Sequence, residues 1–299
     1  MHSGRRVHRE SAATANEPIL TLIFQKNKKG TYLIAMTIFK SERTLNAMSS
    51  ASTASLDDLR NQISGIERLH ARLRTVLPFH VPEIDAKLPG GGLALGALHE
   101  IAGGANGAVD GAAPAAFAAG IAARTGGKVL WCHIQTDLFE PALARSGLRE
   151  DQVVFCRVSD ENALLDCFEE ALRHGGPTAV VGELSNLKPL ASQRLQLAAE
   201  NSKTMGIALR RWRRNVDARD FGIQTSAFTR WRVTETRSDP LPVRGVGQAR
   251  WLLELMRARG GRPADFEVSA CNGQGLISIP TFLADGSSET SHGVRRAIS

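Results

Sequence analysis

The stretch GALHEIAGGANGAVDGAAPAAFAAGIAART, residues 96–125, decides the fold of this chain. Its first part, 96–103, predicts a short apolar strand that ends in glycines. Residues 112–125 predict a helix of small residues, compact enough to lie close on a sheet. A glycine-rich loop between a strand and a helix is where backbone N–H groups can surround phosphate groups. The stretch therefore indicates a nucleotide site, the remnant of one, or a simple glycine-rich turn.

Strands and helices alternate beyond this stretch. They are predicted, beginning with a strand, at 127–134, 137–148, 152–158, 159–176 (with Ser159 as N-cap), 178–184, 189–202 and 206–212. Strands separated by helices of this length imply right-handed crossovers and a mostly parallel sheet. Four further strands, which would extend the sheet as an antiparallel edge, are predicted without intervening helices at 227–233, 249–259, 265–271 and 275–280. The expected fold class is α/β, with a mostly parallel central sheet flanked by helices.

The chain divides into four predicted parts. They are a disordered leader (1–54), an amphipathic helix with a turn-rich linker (55–84), an α/β domain (85–283) and a disordered tail rich in Gly, Ser and Thr (284–299). Met48 opens a polar stretch that looks like a natural beginning, so 1–47 is interpreted as upstream DNA translated from too early a start. The helix is predicted over 55–77, where apolar residues recur every three or four positions. It either packs on the domain or docks on a partner.

Charge and cysteine usage narrow the class of protein. Of the net charge of +7, most belongs to the first 50 residues, and the local exception is 210–250, with ten arginines against four acids. The four cysteines are widely spaced and form no CxxC pair, which is typical of a reduced, cytoplasmic protein. The apolar run 31–39 is too short to span a membrane, although the KNKK before it keeps a signal-anchor interpretation open. No membrane association is expected.

A functional phosphate loop would need the pattern GxxxxGK[ST], with a lysine on the phosphates and a hydroxyl on Mg²⁺. The corresponding place reads Gly111-Ala112-Ala113, and Gly103 and Gly104 do not have the required spacing to Gly111. We therefore predict a degenerate loop, no catalytic residue, no metal and no cofactor. Weak ATP binding through loop amides and the helix N-terminus stays open as an alternative. The residues assigned to this degenerate site are Gly103, Gly104, Gly107, Gly111, Ala112, Ala113 and Glu183.

A basic stretch with interleaved tryptophans, LRRWRRNVDARDFGIQTSAFTRWRV, covers residues 209–233. Arginines beside an aromatic residue suit phosphate contact and base stacking. The candidate residues for binding DNA or a partner are Arg210, Arg211, Trp212, Arg213, Arg214, Arg230 and Arg250. Direct DNA contact, a protein-facing basic patch and a solvated strand face are the three interpretations. We expect replacement of the four arginines in 210–214 to weaken binding without unfolding the protein.

The order of elements resembles the RecA core, and several segments together resemble the ImuA family of RecA-like, damage-inducible mutagenesis proteins. These segments are LPGGGLALGALHEIAG (88–103), AVVGE (179–183), RLQLAAE (194–200), LRRWRR (209–214) and LPVRGVGQARWLLELMRARGGRPADFEV (241–268). The resemblance covers about residues 55–280. It places Glu183 where a Walker B strand usually has Asp, and Thr136 where a carboxylate would orient the attacking water, with Asp137 one residue away.

The resemblance implies a function and partners. The expected role is a non-catalytic accessory protein of SOS-induced translesion DNA synthesis and mutagenesis. The expected partners are an ImuB-like protein, RecA and an error-prone paralogue of the polymerase α subunit, with single-stranded DNA and further copies of the chain as additional candidates. The alternatives are a DNA-dependent ATPase or recombinase-like enzyme, which the missing lysine and hydroxyl disfavour, and a SulA-like inhibitor of cell division.

Overall fold

A computed structural model describes residues 20–26, 32–38, 74–104, 111–212, 214, 218, 221–238, 245 and 247–280. The chain forms two units, 1–60 and 61–299. In the first unit, β1 (Leu20–Lys26) and β2 (Tyr32–Ile38) pair antiparallel. The leader that was predicted to be disordered therefore contains a strand pair in these two runs. Both runs are rich in the β-branched and aromatic residues that favour strands.

The second unit is built on one large sheet. Its strands are β5 (Leu98–Gly103), β6 (Val129–His133), β7 (Val153–Arg157), β8 (Ala179–Leu184), β9 (Met205–Arg210), β10 (Thr229–Thr236), β11 (Arg250–Ala258) and β12 (Ala264–Ser269), while the short β3 (Val76–Leu77) and β4 (Leu93–Ala94) form a separate antiparallel pair. In the described residues the strand order is β12-β11-β10-β5-β9-β8-β6-β7. Neighbours from β10 to β7 are parallel, and β11 and β12 are antiparallel. This confirms the predicted mostly parallel sheet with an antiparallel edge, except that β10 belongs to the parallel part.

Helices cover both faces of the sheet. They are α1 (Pro82–Asp85), α2 (Ala112–Ala123), α3 (Glu140–Arg145), α4 (Glu161–His174) and α5 (Pro189–Ser202), with a 3₁₀ turn at Pro89–Gly91. Helix α2 contacts β5, β8, β9 and β10, whereas α4 and α5 contact strands from the opposite side. Adjacent residues of one strand consequently enter different cores: Val181 packs in the α2 core and Val180 in the α4–α5 core. Alternate side chains of a strand point to opposite faces, so a sheet covered on both faces needs apolar residues at nearly every position.

The segment interpreted as a linker contributes to the larger core. Phe79 and Ile84 are buried there. The Phe79 ring stacks on Phe117 of α2 with centroids 5.9 Å apart and meets Trp231 of β10 edge-on at 5.7 Å. The sequence analysis therefore missed that this turn-rich segment is packed in the core. Its apolar side chains are too few and too irregularly spaced to show a helix or strand period.

Three element predictions need correction or lie outside the described residues. Val76–Leu77, the end of the predicted helix 55–77, is the strand β3, and residues 74–75 before it are not helical. Residues 55–73 of that predicted helix lie outside the described residues, as does the tail. The N-cap of α4 is Asp160 rather than Ser159, because the Asp160 carboxylate accepts hydrogen bonds from the backbone N–H groups of Asn162 and Ala163. Only one isolated bridge, Ser269 with Ser278, stands for the predicted strand 275–280.

No helix in the described part of the chain has the length and apolar character needed to cross a bilayer.

Candidate functional site

The candidate site lies at the carboxyl edge of the parallel strands, where the chain leaves β5, β6, β8 and β9. Gly111 begins α2 after β5, Asp137 follows β6, Glu183 is near the end of β8, and Arg211 follows β9. The carboxyl ends of parallel strands meet at one edge, and ligands of open α/β sheets bind there. The topology thus brings together Gly111, Glu183 and Asp137, which the sequence assigned to the degenerate site or its immediate neighbourhood.

Arg211 links the two carboxylates of this edge. Its Nη2 donates to Asp137 Oδ2 at 2.8 Å, and its Nη1 donates to Asp137 Oδ1 at 3.1 Å and to Glu183 Oε2 at 2.9 Å. The other oxygen of Glu183 accepts a hydrogen bond from Trp131 Nε1 at 2.8 Å. Arg211 and Glu183 are buried, whereas Asp137 is half exposed. Both carboxylate oxygens of Glu183 are therefore engaged by protein donors.

The contacts of Arg211 shift the pKa values of Asp137 and of Arg211 itself. The hydrogen bond from Arg211 is the main cause that lowers the pKa of Asp137. Burial by itself would lower the pKa of Arg211, but the hydrogen bond to Asp137 and the charge of Glu183 raise it. Charged hydrogen bonds of this bidentate kind are among the strong ones in proteins. Glu183 is thus the partner of a guanidinium rather than an open ligand for Mg²⁺.

The Arg211 side chain also lies against the end of the glycine-rich loop. Gly111 is the N-cap of α2 with φ of 67°, and a Cβ placed on it would lie 2.8 Å from Arg211 Nε. Glycine is therefore required at this position both by the left-handed backbone and by the neighbouring guanidinium. The cation of Arg211, which follows β9, lies at the end of the loop, where a phosphate loop would carry its own lysine.

The described start of the loop, Gly103 and Gly104, lies against β10. Gly103 ends β5, and the Gly104 N–H donates to Val233 O at 3.0 Å. A Cβ on Gly104 would lie 2.0 Å from Thr234 Oγ1, so this glycine allows a close approach between the chain and β10. Ala112 is exposed at the first turn of α2, Ala113 is buried, and Gly107 lies outside the described residues.

A second buried charge cluster surrounds Glu100, which the sequence analysis did not single out. Glu100 is fully buried in β5 and accepts from Arg210 Nη1 at 2.6 Å, Arg230 Nε at 2.9 Å and Thr225 Oγ1 at 2.8 Å. Arg210 also donates to Ser185 O at 2.9 Å. The available signal was the acid inside the apolar strand GALHEIAG, because a buried carboxylate requires cationic partners.

The structure places most of the predicted binding residues in the interior. Arg210, Arg211 and Arg230 are buried in the ion pairs described above, and Trp212 is 3% exposed, packed edge-on against Phe221 at 5.9 Å. The Arg210 guanidinium lies 5.1 Å from the centre of the Trp212 ring. These four residues do not form the exposed patch that the spacing suggested, because each arginine neutralises a buried or half-buried carboxylate.

The remaining members of that set are distributed. Arg214 is exposed, Arg250 is half buried on β11, and Arg213 lies outside the described residues.

Replacing Arg210 or Arg211 by Ala or Glu would leave Glu100 or Glu183 buried with one cation fewer, which costs stability. The expectation that replacing the arginines of 210–214 spares the fold is therefore corrected for these two.

A cavity of about 560 Å³ opens beside the Arg211 pair. Its charged lining in the described residues is Asp160, Glu161, Glu183 and Arg211. Glu161 accepts hydrogen bonds from the backbone N–H groups of Ser185 and Asn186 at 2.7 Å, and Asp160 caps α4. The carboxylates thus tie loops to helix ends, and a lining with three acids and one base does not suit a triphosphate.

The strand order and the helices on both faces define an α/β protein with a mostly parallel central sheet. Two curated relatives, both named Protein ImuA and from Caulobacter vibrioides (strains NA1000 / CB15N and ATCC 19089 / CIP 103742 / CB 15), are each 38% identical to this chain over 205 residues, which is 65% of this chain and 83% of the relative. The chain belongs to the ImuA family. No family model matches it.

A crystal structure of the RadB recombinase resembles this chain with a TM-score of 0.47 and 14% identity, over 69% of this chain and all of that chain.

Proposed function

We propose that this protein is a non-catalytic, RecA-like accessory protein of SOS-induced translesion synthesis, and that it acts as an adaptor between an ImuB-like protein and an error-prone polymerase. RecA is a further partner in this proposal. Membership of the ImuA family supports the general role. The observation that carries the non-catalytic part is the position of Arg211, which binds Glu183 and Asp137 and lies against Gly111.

Phosphoryl transfer depends on positioning and charge stabilisation more than on covalent chemistry of the protein. Its usual parts are a lysine on the phosphates, a hydroxyl on Mg²⁺, a carboxylate for the metal and one for the attacking water. The first two are missing from Gly111-Ala112-Ala113, and both nearby carboxylates are held by Arg211. A guanidinium with two carboxylate partners has little free charge to offer a triphosphate.

A nucleotide-binding experiment tests the non-catalytic part. Ala112 is exposed at the first turn of α2, so Ala112→Glu would place a negative charge where phosphates would lie, and Ala112→Gln is its neutral control of the same size. We expect neither variant nor the full chain to bind a fluorescent ATP analogue with Mg²⁺ or to hydrolyse ATP, with or without single-stranded DNA. Mg²⁺-dependent binding that Ala112→Glu weakens and Ala112→Gln keeps would establish a working nucleotide site and overturn this part of the proposal.

The adaptor part is tested in cells. In a Caulobacter vibrioides strain that lacks its own Protein ImuA, the full chain should restore damage-induced mutation frequency. Because the proposed mechanism uses no nucleotide, Ala112→Glu and Ala112→Gln should restore it equally. Co-purification of the chain with the ImuB-like protein and with RecA, using purified components, reports the contacts directly. If the folded chain binds neither the ImuB-like protein nor RecA, the adaptor role is contradicted.

A further inference from the structure

Three of the four cysteines, far apart in the sequence, meet on the α4 side of the sheet. Cys132 of β6 lies opposite Cys156 of β7 in the parallel register, and Cys167 of α4 packs above them. The Sγ atom of Cys167 is 3.5 Å from that of Cys132 and 3.6 Å from that of Cys156, and all three sulfur atoms lie within 4.8 Å of one another. None of them takes part in the site at the carboxyl edge.

We propose that Cys132, Cys156 and Cys167 bind a thiophilic d¹⁰ cation, with Zn²⁺ as the reference ion. A Zn–S bond of about 2.3 Å with tetrahedral angles separates two sulfur ligands by about 3.8 Å. The two short Sγ–Sγ distances are within a few tenths of an ångström of this value. The three ligands therefore need little rearrangement to close around one ion.

The surroundings fit an ion bound by three protein ligands and one solvent molecule. Cys132 is fully buried in a core cluster with Leu164 and Phe168, so the inner side of the site is apolar. Cys156 and Cys167 are half buried, which leaves an approach from solvent and a fourth position for water. The three ligands also belong to rigid elements, since two are on paired strands and the third is on a helix packed on those strands.

The arrangement of the three thiols suits a cation better than a disulfide. A cation replaces the proton of each thiol that ligates it, and the proton leaves to solvent. A disulfide would use two of the sulfur atoms and leave the third without a role. The arrangement of three mutually close sulfurs is what a cation site requires.

The site would fasten the edge of the sheet. β7 is the last strand in the order, and in the described residues its sheet neighbour is β6 alone. A bound cation would join this strand to β6 and to α4 through Cys156, Cys132 and Cys167. Ligands that bind the folded state and not the unfolded state raise the unfolding temperature, so Zn²⁺ should stabilise the protein.

The experiment uses the full chain, reduced and stripped of metal with a chelator under nitrogen. Zn²⁺ affinity is measured by competition with a chromophoric chelator, and Co²⁺ is added separately to record sulfur-to-metal charge-transfer absorption. We expect one ion per chain, proton release on binding and a higher Tm. Cys167→Ala and Cys156→Ala should each weaken binding about 100-fold or more and reduce the charge-transfer band.

Cys271→Ala is the matched control, because Cys271 is a half-buried thiol outside the cluster. It should bind Zn²⁺ as the unmodified chain does. Circular dichroism of the metal-free variants checks that each remains folded. If Cys167→Ala does not fold, Cys156→Ala is used to test Zn²⁺ binding. Absence of stoichiometric binding, or binding that both cluster variants retain, overturns the proposal. So does a cluster that oxidises to a disulfide in air and takes up no ion when reduced.

Discussion

Glu100 shows how a single charged residue constrains the interior. It is fully buried in β5, between Arg210 of β9 and Arg230 of β10. Taking charges out of water is expensive, and the mutual attraction offsets that cost only while every partner is present. The triad of Glu100, Arg210 and Arg230 is therefore needed for this packing, but it adds little net stability to the fold. It also links the adjacent strands β9, β5 and β10.

Replacing Glu100 by Gln should lower the free energy of unfolding by about 3–5 kcal/mol, because two buried guanidinium groups lose their counter-charge. The matched control is Glu254→Gln. Glu254 pairs with Arg232 at 3.2 Å across β10 and β11, and both side chains are partly exposed, so the loss should be below about 1 kcal/mol. Urea unfolding followed by tryptophan fluorescence gives both values. Equal losses would mean that burial does not decide the cost.

His99 is the neighbour of Glu100 and is fully buried as well. Its Nε2 lies 2.9 Å from Ala94 O, which can only accept, so Nε2 carries the proton. Nδ1 accepts from the Thr229 hydroxyl at 2.7 Å. Burial lowers the pKa of His99 to about 4. The neutral ring thus has a defined tautomer and a structural function in the core.

The lowered pKa of His99 makes stability depend on pH. The unfolded chain takes up the proton near pH 6.5 and the folded chain only near pH 4, so stability is complete above pH 6.5 and falls as the pH is lowered towards 4. Between pH 7 and pH 5 this histidine should account for a loss of about 2 kcal/mol. His99→Gln, whose amide can still donate to Ala94 O, should show a smaller loss over that interval in urea unfolding. An identical pH dependence in both proteins would exclude His99 as the cause.

At the scale of elements, α2 packs on the sheet through small residues. Nine of its twelve residues are buried, most of them alanine, so the helix lies close to β5, β8, β9 and β10. Its one glycine, Gly120, faces the turn after β12. A Cβ at that position would lie 2.5 Å from Cys271 Sγ and 3.2 Å from Gly275 O. The helix and this turn are therefore fitted to each other without space for a methyl group.

Gly120→Ala should be destabilising by about 1–3 kcal/mol through overpacking, although alanine is favoured over glycine inside a helix by about 1 kcal/mol. The double variant Gly120→Ala with Cys271→Ala removes the sulfur atom and should recover part of the loss. Denaturant unfolding of the two single variants and the double variant measures the coupling. A stabilised Gly120→Ala protein would show that helix propensity outweighs the contact.

The elements that the sequence predicted well are those with a clear period or bounded apolar runs, such as β8, β9 and α5. The position of β10 next to β5 was not predictable, because nothing in 227–233 states which strand it will pair with.

The candidate site was also predicted only in part. Glu183 and Gly111 were placed correctly on their strand and loop, but the burial of Arg210 and Arg211 depends on carboxylates that lie far away in the sequence, at Glu100 and Asp137. Local spacing shows a basic stretch and cannot show its partners.

At the scale of the whole molecule, the proposal that this protein binds no nucleotide has a thermodynamic consequence. A ligand present at 100 times its Kd stabilises a folded protein by about 2.7 kcal/mol, which raises Tm by several degrees. We expect MgATP at millimolar concentration to leave the Tm of this protein where MgCl₂ alone leaves it, in a calorimetric or fluorescence melt. A rise with MgATP that Ala112→Glu removes would identify nucleotide binding at the loop.

The placement of β5 also determines when the molecule can be completed during its synthesis. Its six residues are all buried, and they pair with β9 on one side and β10 on the other. A ribosome delivers β5 long before Thr236, the last residue of β10. Until Arg210 is made the growing chain carries this strand without either neighbour, and until Thr236 is made it still lacks β10. Such unpaired strands are prone to aggregate. A chain that stops before β10 should therefore depend on chaperones to remain in solution.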